Sequence, residues 1–407
     1  MDSRKKKIAI ITPRYGREAA GQVPYAAAAL ARRLAAFYSV TVLTSTAKDY
    51  DSFANYYPEG ESVEDGVKLL RFKTTSDRDE QSFERLEALR VNLGFAGKML
   101  DKKLIREKGP LVRGLTAYIK EHTKDYDRML FLTFSYYTTV AAWKYAADKA
   151  VLIPFTKNAD EIALIKRNIY RDIFSSAKFV IYKDEEEKQA IEALLKEPYP
   201  ESSTGVTGFE IPPYADSPEK RAELVSEFRK KYAVEGEYIL YTGHISAGRE
   251  CDKMFECFAA FKESEPGKDM HLTVIGRPDG EVVLPVDIGA YYPGFVSEKE
   301  RFAAIAGAEL LWFTAESPAD IHNFTAGLMF GVPALVSGNC TRLAEMAKRS
   351  ESAFVYDSKE DCIKYMSDIA MMSDRDYARI SVRGRFFSED NYGWDAVTAR
   401  ICKMIEV

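Results

Sequence analysis

The stretch 238–261 changes its hydrophobic period abruptly. Its first four residues predict a buried strand, Gly243 and Gly248 interrupt that strand, and apolar residues from Met254 onward recur at helical spacing. Where a glycine-containing loop joins a strand to a helix, the free backbone N–H groups and the positive end of the helix dipole both face the loop. Such a loop is suited to binding a phosphate group, although an ordinary turn of a Rossmann-like unit has the same pattern.

Bulk composition limits the class of protein. A chain of 407 residues exceeds what one hydrophobic core usually serves, so two domains are expected. With 57 basic and 62 acidic residues the formal net charge is −5, which argues against a general nucleic-acid binder. The five cysteines are scattered without a CxxC pair, a pattern that predicts free thiols in a reducing cytoplasm and no metal site. No apolar run reaches membrane-spanning length, so any membrane contact would be peripheral.

Strand and helix patterns alternate along both halves of the chain. Lys7–Thr12, Val23–Phe37 and Ser39–Thr46 predict strand, helix and strand, the opening of a parallel doubly wound sheet. The stretch 198–213 is rich in Pro, Ser, Thr and Gly and predicts a linker, after which the alternation restarts. We therefore predict an α/β protein with an N-terminal domain 1–213, a C-terminal domain 214–392, and a final helix within 393–407 that packs back on the first domain.

The segment 98–113 carries basic residues among apolar ones. The basic positions are Lys98, Lys102, Lys103, Arg106, Lys108 and Arg113. A basic amphipathic surface suits peripheral contact with an anionic membrane, or with a pyrophosphate-bearing acceptor. The alternative interpretation is a helix face that only meets solvent.

A series of motifs in fixed order resembles a known family. In chain order these include RNIYRDIFSSAKFVIYKDEEEK, GVTGFEIP, YTGHISAGRECDKMFECF, VIGRP, YPGFVSEKERFAAIAGAELLWF and GVPALVSGNC. Over nearly its whole length the chain resembles bacterial family 4 retaining glycosyltransferases of the GT-B fold, which build surface polysaccharides. The resemblance implies two Rossmann-like domains facing across a cleft, with a nucleotide-sugar donor on the C-terminal domain and a glycan or lipid-linked acceptor on the N-terminal one. It also implies that the donor is a substrate and no metal is obligatory, and it is consistent with a cytoplasmic protein that contacts the inner face of the membrane.

The donor motifs depart from the family pattern at several positions. Active members carry Arg directly after the glycine of the opening strand and Lys five residues later, where this chain has His244 and Arg249 after Gly243. Arg249 can still bind a diphosphate through two parallel hydrogen bonds, whereas an imidazole is mostly neutral at pH 7. The resemblance therefore implies a diphosphate-binding site in which one of the family's two cations, at Arg249, is kept.

The family's two glutamates, eight residues apart, are replaced by Pro318 and Ala326. The first contacts the transferred sugar in the family, and Glu316 or Asp320 would have to substitute for it. The second binds the ribose, and only Thr325 is near enough in sequence to replace it. Each lost polar contact costs about 1–3 kcal/mol, so these changes together would weaken donor binding by orders of magnitude.

Two further departures lie in the N-terminal domain. The paired glycines of the first loop become Gly21-Gln22, and the side chain of Gln22 is expected to crowd the diphosphate. The family's histidine near the end of a later strand falls at Lys157 and Asn158.

Two hypotheses follow. In the first, the chain is an active transferase in which Arg249 and the loop amides bind the diphosphate, Glu316 or Asp320 lies near the sugar, and Lys157 or His322 supplements them. The predicted donor-binding set is Gly21, Gln22, Gly243, His244, Arg249, Pro318, His322, Thr325 and Ala326. In the second, it is a catalytically silent relative that acts as a glycan-binding module or as the partner of an active glycosyltransferase. A dinucleotide-dependent oxidoreductase is disfavoured because neither domain offers GxGxxG.

Overall fold

The structure is a computed structural model that describes most of the chain. The described residues are 5–16, 18–19, 21–94, 96–156, 158–196, 200–205, 208, 211–280, 282–285, 287–315 and 320–406. They form two compact units, unit 1 from Met1–Thr207 with Val397–Val407, and unit 2 from Gly208–Ala396. The division after residue 207 falls within the stretch predicted as a linker.

Unit 1 contains an eight-stranded sheet in the order β3-β4-β2-β1-β5-β6-β7-β8. Its strands are β1 (Lys7–Ile11), β2 (Ser39–Ser45), β3 (Gly60–Glu64), β4 (Val67–Phe72), β5 (Arg128–Leu132), β6 (Ala150–Ile153), β7 (Phe179–Tyr182) and β8 (Glu201–Thr204). β3 runs antiparallel to β4, and the other neighbours are parallel. The central strands are buried on both faces, as expected where helices cover a parallel sheet.

Helices alternate with these strands. They are α1 (Gln22–Leu34), α2 (Glu80–Asn92), α3 (Asp101–Lys108), α4 (Arg113–His122), α5 (Tyr137–Val140), α6 (Ala159–Ala163), α7 (Asn168–Ser176) and α8 (Glu185–Glu192). The last helix of the chain, α16 (Trp394–Glu406), returns to unit 1 from Val397 onward. There the hydroxyl of Tyr38 donates a hydrogen bond to a carboxylate oxygen of Glu406 at 3.1 Å.

Unit 2 contains a six-stranded parallel sheet in the order β11-β10-β9-β12-β13-β14. Its strands are β9 (Glu237–Thr242), β10 (Met270–Ile275), β11 (Ala290–Gly294), β12 (Leu310–Phe313), β13 (Ala334–Ser337) and β14 (Ala353–Tyr356). Its helices are α9 (Pro218–Tyr232), α10 (Cys251–Lys262), α11 (Glu298–Ala306), α12 (Asp320–Phe330), α13 (Thr341–Ser350), α14 (Lys359–Ala370) and α15 (Asp374–Tyr392). The strand order reverses between β9 and β12, which is where such sheets bind ligands, beyond the carboxyl ends of the strands.

Alternate residues of β9 enter separate cores. Tyr238 and Leu240 pack into a cluster with α9, α11, α12 and α13, while Ile239 and Tyr241 pack into one with α10 and α14. Successive side chains of a strand point to opposite faces, so both faces of the sheet are covered. This explains why β9 reads as a continuous apolar run and not as an alternating one.

The predicted α/β class is confirmed, with local differences. β8 lies inside the stretch predicted as a linker, and β3 was not predicted. The sequence also predicts a strand near Ile288, and in the structure this strand begins two residues later, as β11. Within the described residues, no helix combines the length and the apolarity needed to cross a bilayer.

Candidate functional site

The loop from β9 to α10 is held close to the end of β10. The backbone N–H of Gly243 donates to the carbonyl of Ile275 at 2.9 Å, and that of Ile245 donates to the carbonyl of Arg277 at 3.1 Å. A Cβ atom added to Gly276 would lie 1.7 Å from the carbonyl oxygen of Gly243, so only glycine permits this approach. The carboxyl ends of β9 and β10 are therefore joined into one surface beside the switch point, which lies between β9 and β12.

Arg249 forms an ion pair across this edge. Its Nη2 lies 2.7 Å from Oδ2 of Asp320, the first residue of α12. The side chains are 12% and 2% exposed, so the pair is largely shielded from water. The hydroxyl of Thr314 donates to the carbonyl of Arg249 at 2.6 Å and fixes the loop from below.

The guanidinium of Arg249 retains donors beyond that pair. Its Nε and Nη1 are buried and have no hydrogen-bond partner among the described residues. Burial lowers the pKa of Arg249, but hydrogen bonds with Tyr241 and Asp320 outweigh that effect and raise the pKa overall. Arg249 is thus a permanent cation with unused donors, an arrangement that suits a second anion.

The first turn of α12 is tied to the same edge by Asn323. Its amide nitrogen donates to the hydroxyl of Thr242 at 2.9 Å, and its amide oxygen accepts from Nη1 of Arg301 at 3.0 Å. The ring of the neighbouring His322 lies 5.9 Å from that of Phe302. Desolvation, together with the positive charge of Arg301, lowers the pKa of His322 to about 4. His322 is therefore neutral at pH 7 and can offer a hydrogen bond but not a charge.

Arg277 and Phe295 form a cation–π pair just after β10 and β11, and the sequence did not predict this pair. The guanidinium carbon of Arg277 lies 4.7 Å from the ring centroid of Phe295, which is 73% exposed. The ring of Phe295 is therefore open to a ligand at the carboxyl edge of the sheet. The only sequence signal was its position two residues after Pro293, within a motif used for fold recognition.

The other predicted residues of unit 2 differ in accessibility. His244 is exposed, and its carbonyl accepts a hydrogen bond from the hydroxyl of Tyr241 at 2.7 Å. Thr325 and Ala326 are buried in α12, and Ala326 belongs to the core. Glu316 and Pro318 lie outside the described residues.

In unit 1, Gly21 and Gln22 lie at the start of α1. Gly21 precedes the helix with a φ of 118°, which a side chain would disfavour, and Gln22 is exposed. A Cβ at Gly21 would lie 3.5 Å from Nη2 of Arg14, a buried cation that donates to the carbonyl of Lys48 at 2.7 Å. Desolvation lowers the pKa of Arg14 in spite of nearby acidic groups. Arg14 was not predicted as a site residue, although it directly follows the first strand and Pro13.

A buried carboxylate, that of Glu161, lies at the same edge of unit 1. Glu161 is buried and accepts a hydrogen bond from the hydroxyl of Ser135 at 2.5 Å, and Nζ of Lys108 lies 3.8 Å from it. Asn158 caps α6 by accepting from the N–H of Glu161 at 3.0 Å. The predicted Lys157 lies outside the described residues. In the part of the chain that is described, no group of three or more His, Cys, Asp or Glu side chains could hold a metal ion.

The two Rossmann-like units of this chain match solved structures of glycosyltransferases that have the GT-B fold. Sucrose-phosphate synthase from Thermosynechococcus elongatus matches with a TM-score of 0.57 at 12% identity, over 99% of this chain and 98% of that one. HepE from Anabaena in complex with UDP matches at 0.57 and 10%, over 98% and 99%. WaaG, a glycosyltransferase involved in lipopolysaccharide biosynthesis, matches at 0.52 and 14%, also over 98% and 99%.

The sequence itself matches no family model and no curated protein. At these identities the structural likeness shows the fold alone, and the predicted GT-B fold is confirmed. The assignment to family 4 within it stays a prediction.

Proposed function

We propose that the protein is a glycosyltransferase that moves a sugar from a nucleotide-sugar donor to a glycan or lipid-linked acceptor, with retention. The observation that carries this proposal is Arg249, a largely buried cation in the glycine loop at the switch point of unit 2, with unused donors on Nε and Nη1. The leaving group of such a reaction is a nucleoside diphosphate, whose developing charge needs a fixed cation and backbone N–H groups. HepE, which shares the fold, was solved with UDP.

We assign the donor to the carboxyl edge of unit 2. Arg249 would bind the diphosphate together with N–H groups of the loop other than those of Gly243 and Ile245, which donate to carbonyls at the end of β10, and His244 would be an exposed, polar neighbour. Phe295 and Arg277 would provide a flat surface for the nucleobase, since bases stack on aromatic rings and guanidinium planes. His322 would contribute a neutral hydrogen bond.

Asp320 then orients the guanidinium of Arg249 through its ion pair. Glu316 remains the proposed acid beside the transferred sugar, and Lys157 the proposed additional cation. We assign the acceptor to unit 1, and Gly21 and Gln22 stay predicted neighbours of the donor diphosphate. In keeping with the resemblance, the proposed reaction needs no metal ion, and an assay with and without EDTA tests this.

The proposal includes contact with an anionic membrane, where a lipid-linked acceptor would be found. The last turn of α2 exposes Val91 at 66%, and the connection from α2 to α3 exposes Leu93 at 47% and Met99 at 89%. Exposed basic residues follow at Lys102, Lys103 and Arg106. Apolar side chains that enter the interface beside lysines that meet anionic headgroups are the usual means of peripheral binding.

Thermal unfolding with UDP, GDP, ADP and their sugar conjugates tests the donor site. A ligand that binds only the folded protein at 100 times its Kd stabilises it by about 2.7 kcal/mol. We expect one nucleotide to raise Tm and Arg249→Ala to abolish the rise. No response to any nucleotide would contradict the proposal.

Turnover then separates the two hypotheses. Release of the free nucleotide from the stabilising sugar conjugate, in the presence of a candidate acceptor, would identify a transferase. Binding without release would favour the silent relative, for which the replacement of both family glutamates by Pro318 and Ala326 is the specific argument.

A further inference from the structure

Unit 2 contains a cavity of about 420 Å³ between α10 and α14, at the carboxyl ends of β12, β13 and β14. This volume lies within the range of small-molecule sites, about 300–1,000 Å³. Four residues of the donor surface described above do not line it, namely Arg277, Phe295, Asp320 and His322. The cavity is therefore a second candidate binding site in unit 2.

The floor of the cavity is formed by side chains of the strands. Nε1 of Trp312, on β12, donates a hydrogen bond to the hydroxyl of Tyr356, on β14, at 3.2 Å. On β13, between these two strands, the hydroxyl of Ser337 accepts from the N–H of Asn339 at 3.3 Å. Trp312 is almost fully buried and Tyr356 only half-buried, so the ring of Tyr356 is the aromatic surface available to a ligand.

Charged and amide side chains form the exposed rim of the cavity. Glu256 lies on α10, Asn339 follows β13, Asp357 follows β14, and Lys359 begins α14. A Cβ atom added to Gly338 would lie 1.9 Å from Oδ1 of Asp357, so this carboxylate lies directly over the β13 loop. Hydrogen-bond acceptors and donors therefore line the cavity on both helices and at two strand ends.

The balance of charge limits the class of ligand. The described residues that line the cavity include three carboxylates and two lysines, namely Glu250, Glu256, Asp357, Lys253 and Lys359. Nζ of Lys253 lies 2.9 Å from Oε1 of Glu250, so one lysine is already paired. An anion would meet more negative than positive charge, and an apolar ligand would cover polar groups without replacing their hydrogen bonds to water. A neutral molecule with many hydroxyl groups avoids both costs, because a hydroxyl group donates to a carboxylate and accepts from an ammonium or amide group.

Glu250 connects the cavity with the loop of Arg249. Glu250 has a φ of 54°, in the left-handed region that favours glycine, and it lines the cavity. Residues held in this conformation are concentrated at functional sites. Thr314 also lines the cavity, and its hydroxyl donates to the carbonyl of Arg249 at 2.6 Å. A ligand in the cavity would thus contact two residues that position the loop.

We propose that this cavity binds a neutral carbohydrate, either a monosaccharide or the end of a short glycan, at a site separate from the nucleotide-sugar donor. Glu256 and Asp357 accept hydrogen bonds from hydroxyl groups of the sugar, and Lys359 and Asn339 donate hydrogen bonds to them. One face of the sugar ring packs on Tyr356. This binding does not depend on the function proposed above.

The test is isothermal titration calorimetry of the full-length protein without nucleotide, with glucose, N-acetylglucosamine and maltose as probes and saturation-transfer NMR as a second readout. We expect at least one probe to bind, and to bind more tightly than glucose 6-phosphate and glucosamine do. Asp357→Asn and Glu256→Gln should each weaken binding about tenfold, because each keeps the shape of the side chain and removes a charged acceptor. Asp368→Asn, on α14, removes an exposed carboxylate that does not line the cavity and should change nothing.

Three results would overturn the proposal. They are the failure of all three probes to bind the folded protein, tighter binding of a charged sugar, and binding that Phe295→Ala abolishes but Asp357→Asn leaves intact, which would place the sugar on the donor surface. The first two measurements need no variant, so they stand even where a variant does not fold. Gly338→Ala provides an independent variant, because the new Cβ displaces the Asp357 carboxylate, and it should weaken binding as Asp357→Asn does.

A second readout rests on the proposed function. A saccharide that saturates the cavity should change the Kd of the nucleotide bound at Arg249, and the nucleotide should change the Kd of the saccharide by the same factor. A nucleotide Kd that the saccharide leaves unchanged would overturn this coupling and leave the saccharide site in place. Failure of every nucleotide to bind would overturn the donor site and the coupling with it, while the saccharide titration stands by itself.

Discussion

Arg249 and Asp320 are 71 residues apart in the sequence, and their side chains meet at 2.7 Å. The cation that we assign to the donor diphosphate thus already has one anionic neighbour. Desolvated pairs of this kind fix geometry, because each charge holds the other in place. Asp320 fixes the orientation of the guanidinium and leaves Nε and Nη1 available. Its negative charge also weakens the attraction of Arg249 for a second anion.

Asp320→Asn should separate the contribution of the ion pair to stability from its effect on nucleotide binding. Removal of one partner of a buried ion pair is expected to lower the free energy of unfolding by about 3–5 kcal/mol. The freed charge of Arg249 should at the same time increase the rise in Tm that UDP or another bound nucleotide gives. Glu351→Gln, which breaks an exposed pair with Arg383, should alter neither quantity. A smaller nucleotide effect in Asp320→Asn would contradict the assigned role of Arg249.

Phe295→Ala tests the nucleobase surface. Loss of a stacking ring costs about 1–3 kcal/mol of base binding, so nucleotide affinity should fall by roughly 5- to 150-fold. Inorganic pyrophosphate, which has no base, should bind as before. Isothermal titration calorimetry with both ligands provides the comparison, and Phe386→Ala, an exposed aromatic on α15, is the control. Equal losses for both ligands would show that Phe295 has a structural role instead.

Gly276→Ala should destabilise unit 2 because the new Cβ would meet the carbonyl of Gly243 at 1.7 Å. Overpacking of this kind costs about 1–3 kcal/mol, and the strand ends would have to separate. In the same loop, a Cβ at Gly248 would meet only Oγ of Ser246, at 3.9 Å. Chemical denaturation should therefore show a clear loss for the first variant and almost none for Gly248→Ala. Similar losses would mean that the approach of β9 to β10 relaxes easily.

The membrane contact predicts sedimentation with vesicles that contain phosphatidylglycerol, and much weaker sedimentation with phosphatidylcholine alone. Met99→Asp places a charge at the most exposed apolar position and should reduce binding strongly. Replacement of Lys102 and Lys103 by Ser should reduce it further and weaken its salt dependence. Val63→Asp changes an apolar residue of unit 1 that is 72% exposed and should have no effect. Equal binding by all of these variants would remove this surface from the proposal.

The lowered pKa of Glu300 predicts that the stability of the protein depends on pH. Hydrogen bonds from Lys231, and then from Ser297, lower the pKa of Glu300 from 4.5 to about 2. A carboxyl with a lowered folded pKa stabilises the protein above its unfolded value, and that contribution is lost as pH falls through the folded value. Glu300→Gln should thus be about 1 kcal/mol less stable than the parent at pH 7, and the gap should close between pH 4.5 and 2. If the difference in stability between Glu300→Gln and the parent does not change with pH, the substitution acts through packing and not through the charge.

Regular periodicity made most of the fold predictable. β1 and β2 begin at the predicted residues, Lys7 and Ser39, and each ends one residue before its predicted end, because each is a clear apolar pattern between strong boundaries. β8 escaped prediction because it is a short polar edge strand, Glu201–Thr204, held by backbone hydrogen bonds to β7 and not by apolar burial. β3 is also an exposed edge strand, for the same reason.

The candidate site was less predictable than the fold. The loop of Arg249 follows from local sequence, since the glycines and the following helix are adjacent in the chain. The pairing with Asp320, the stacking of Arg277 on Phe295 and the burial of Arg14 all depend on tertiary contacts between distant segments. Such contacts leave no periodic trace, so only the coordinates reveal them.

Unit 1 contains both the first half of the chain and its last helix, and this has a consequence for folding during synthesis. Val397, Ile401 and Ile405 are buried, and they belong to the unit that begins at the N-terminus. While the ribosome is still making α15, the first half of the protein lacks the helix that completes its interior. The unit that is translated first is therefore expected to finish folding last, after unit 2 has already emerged as an uninterrupted segment.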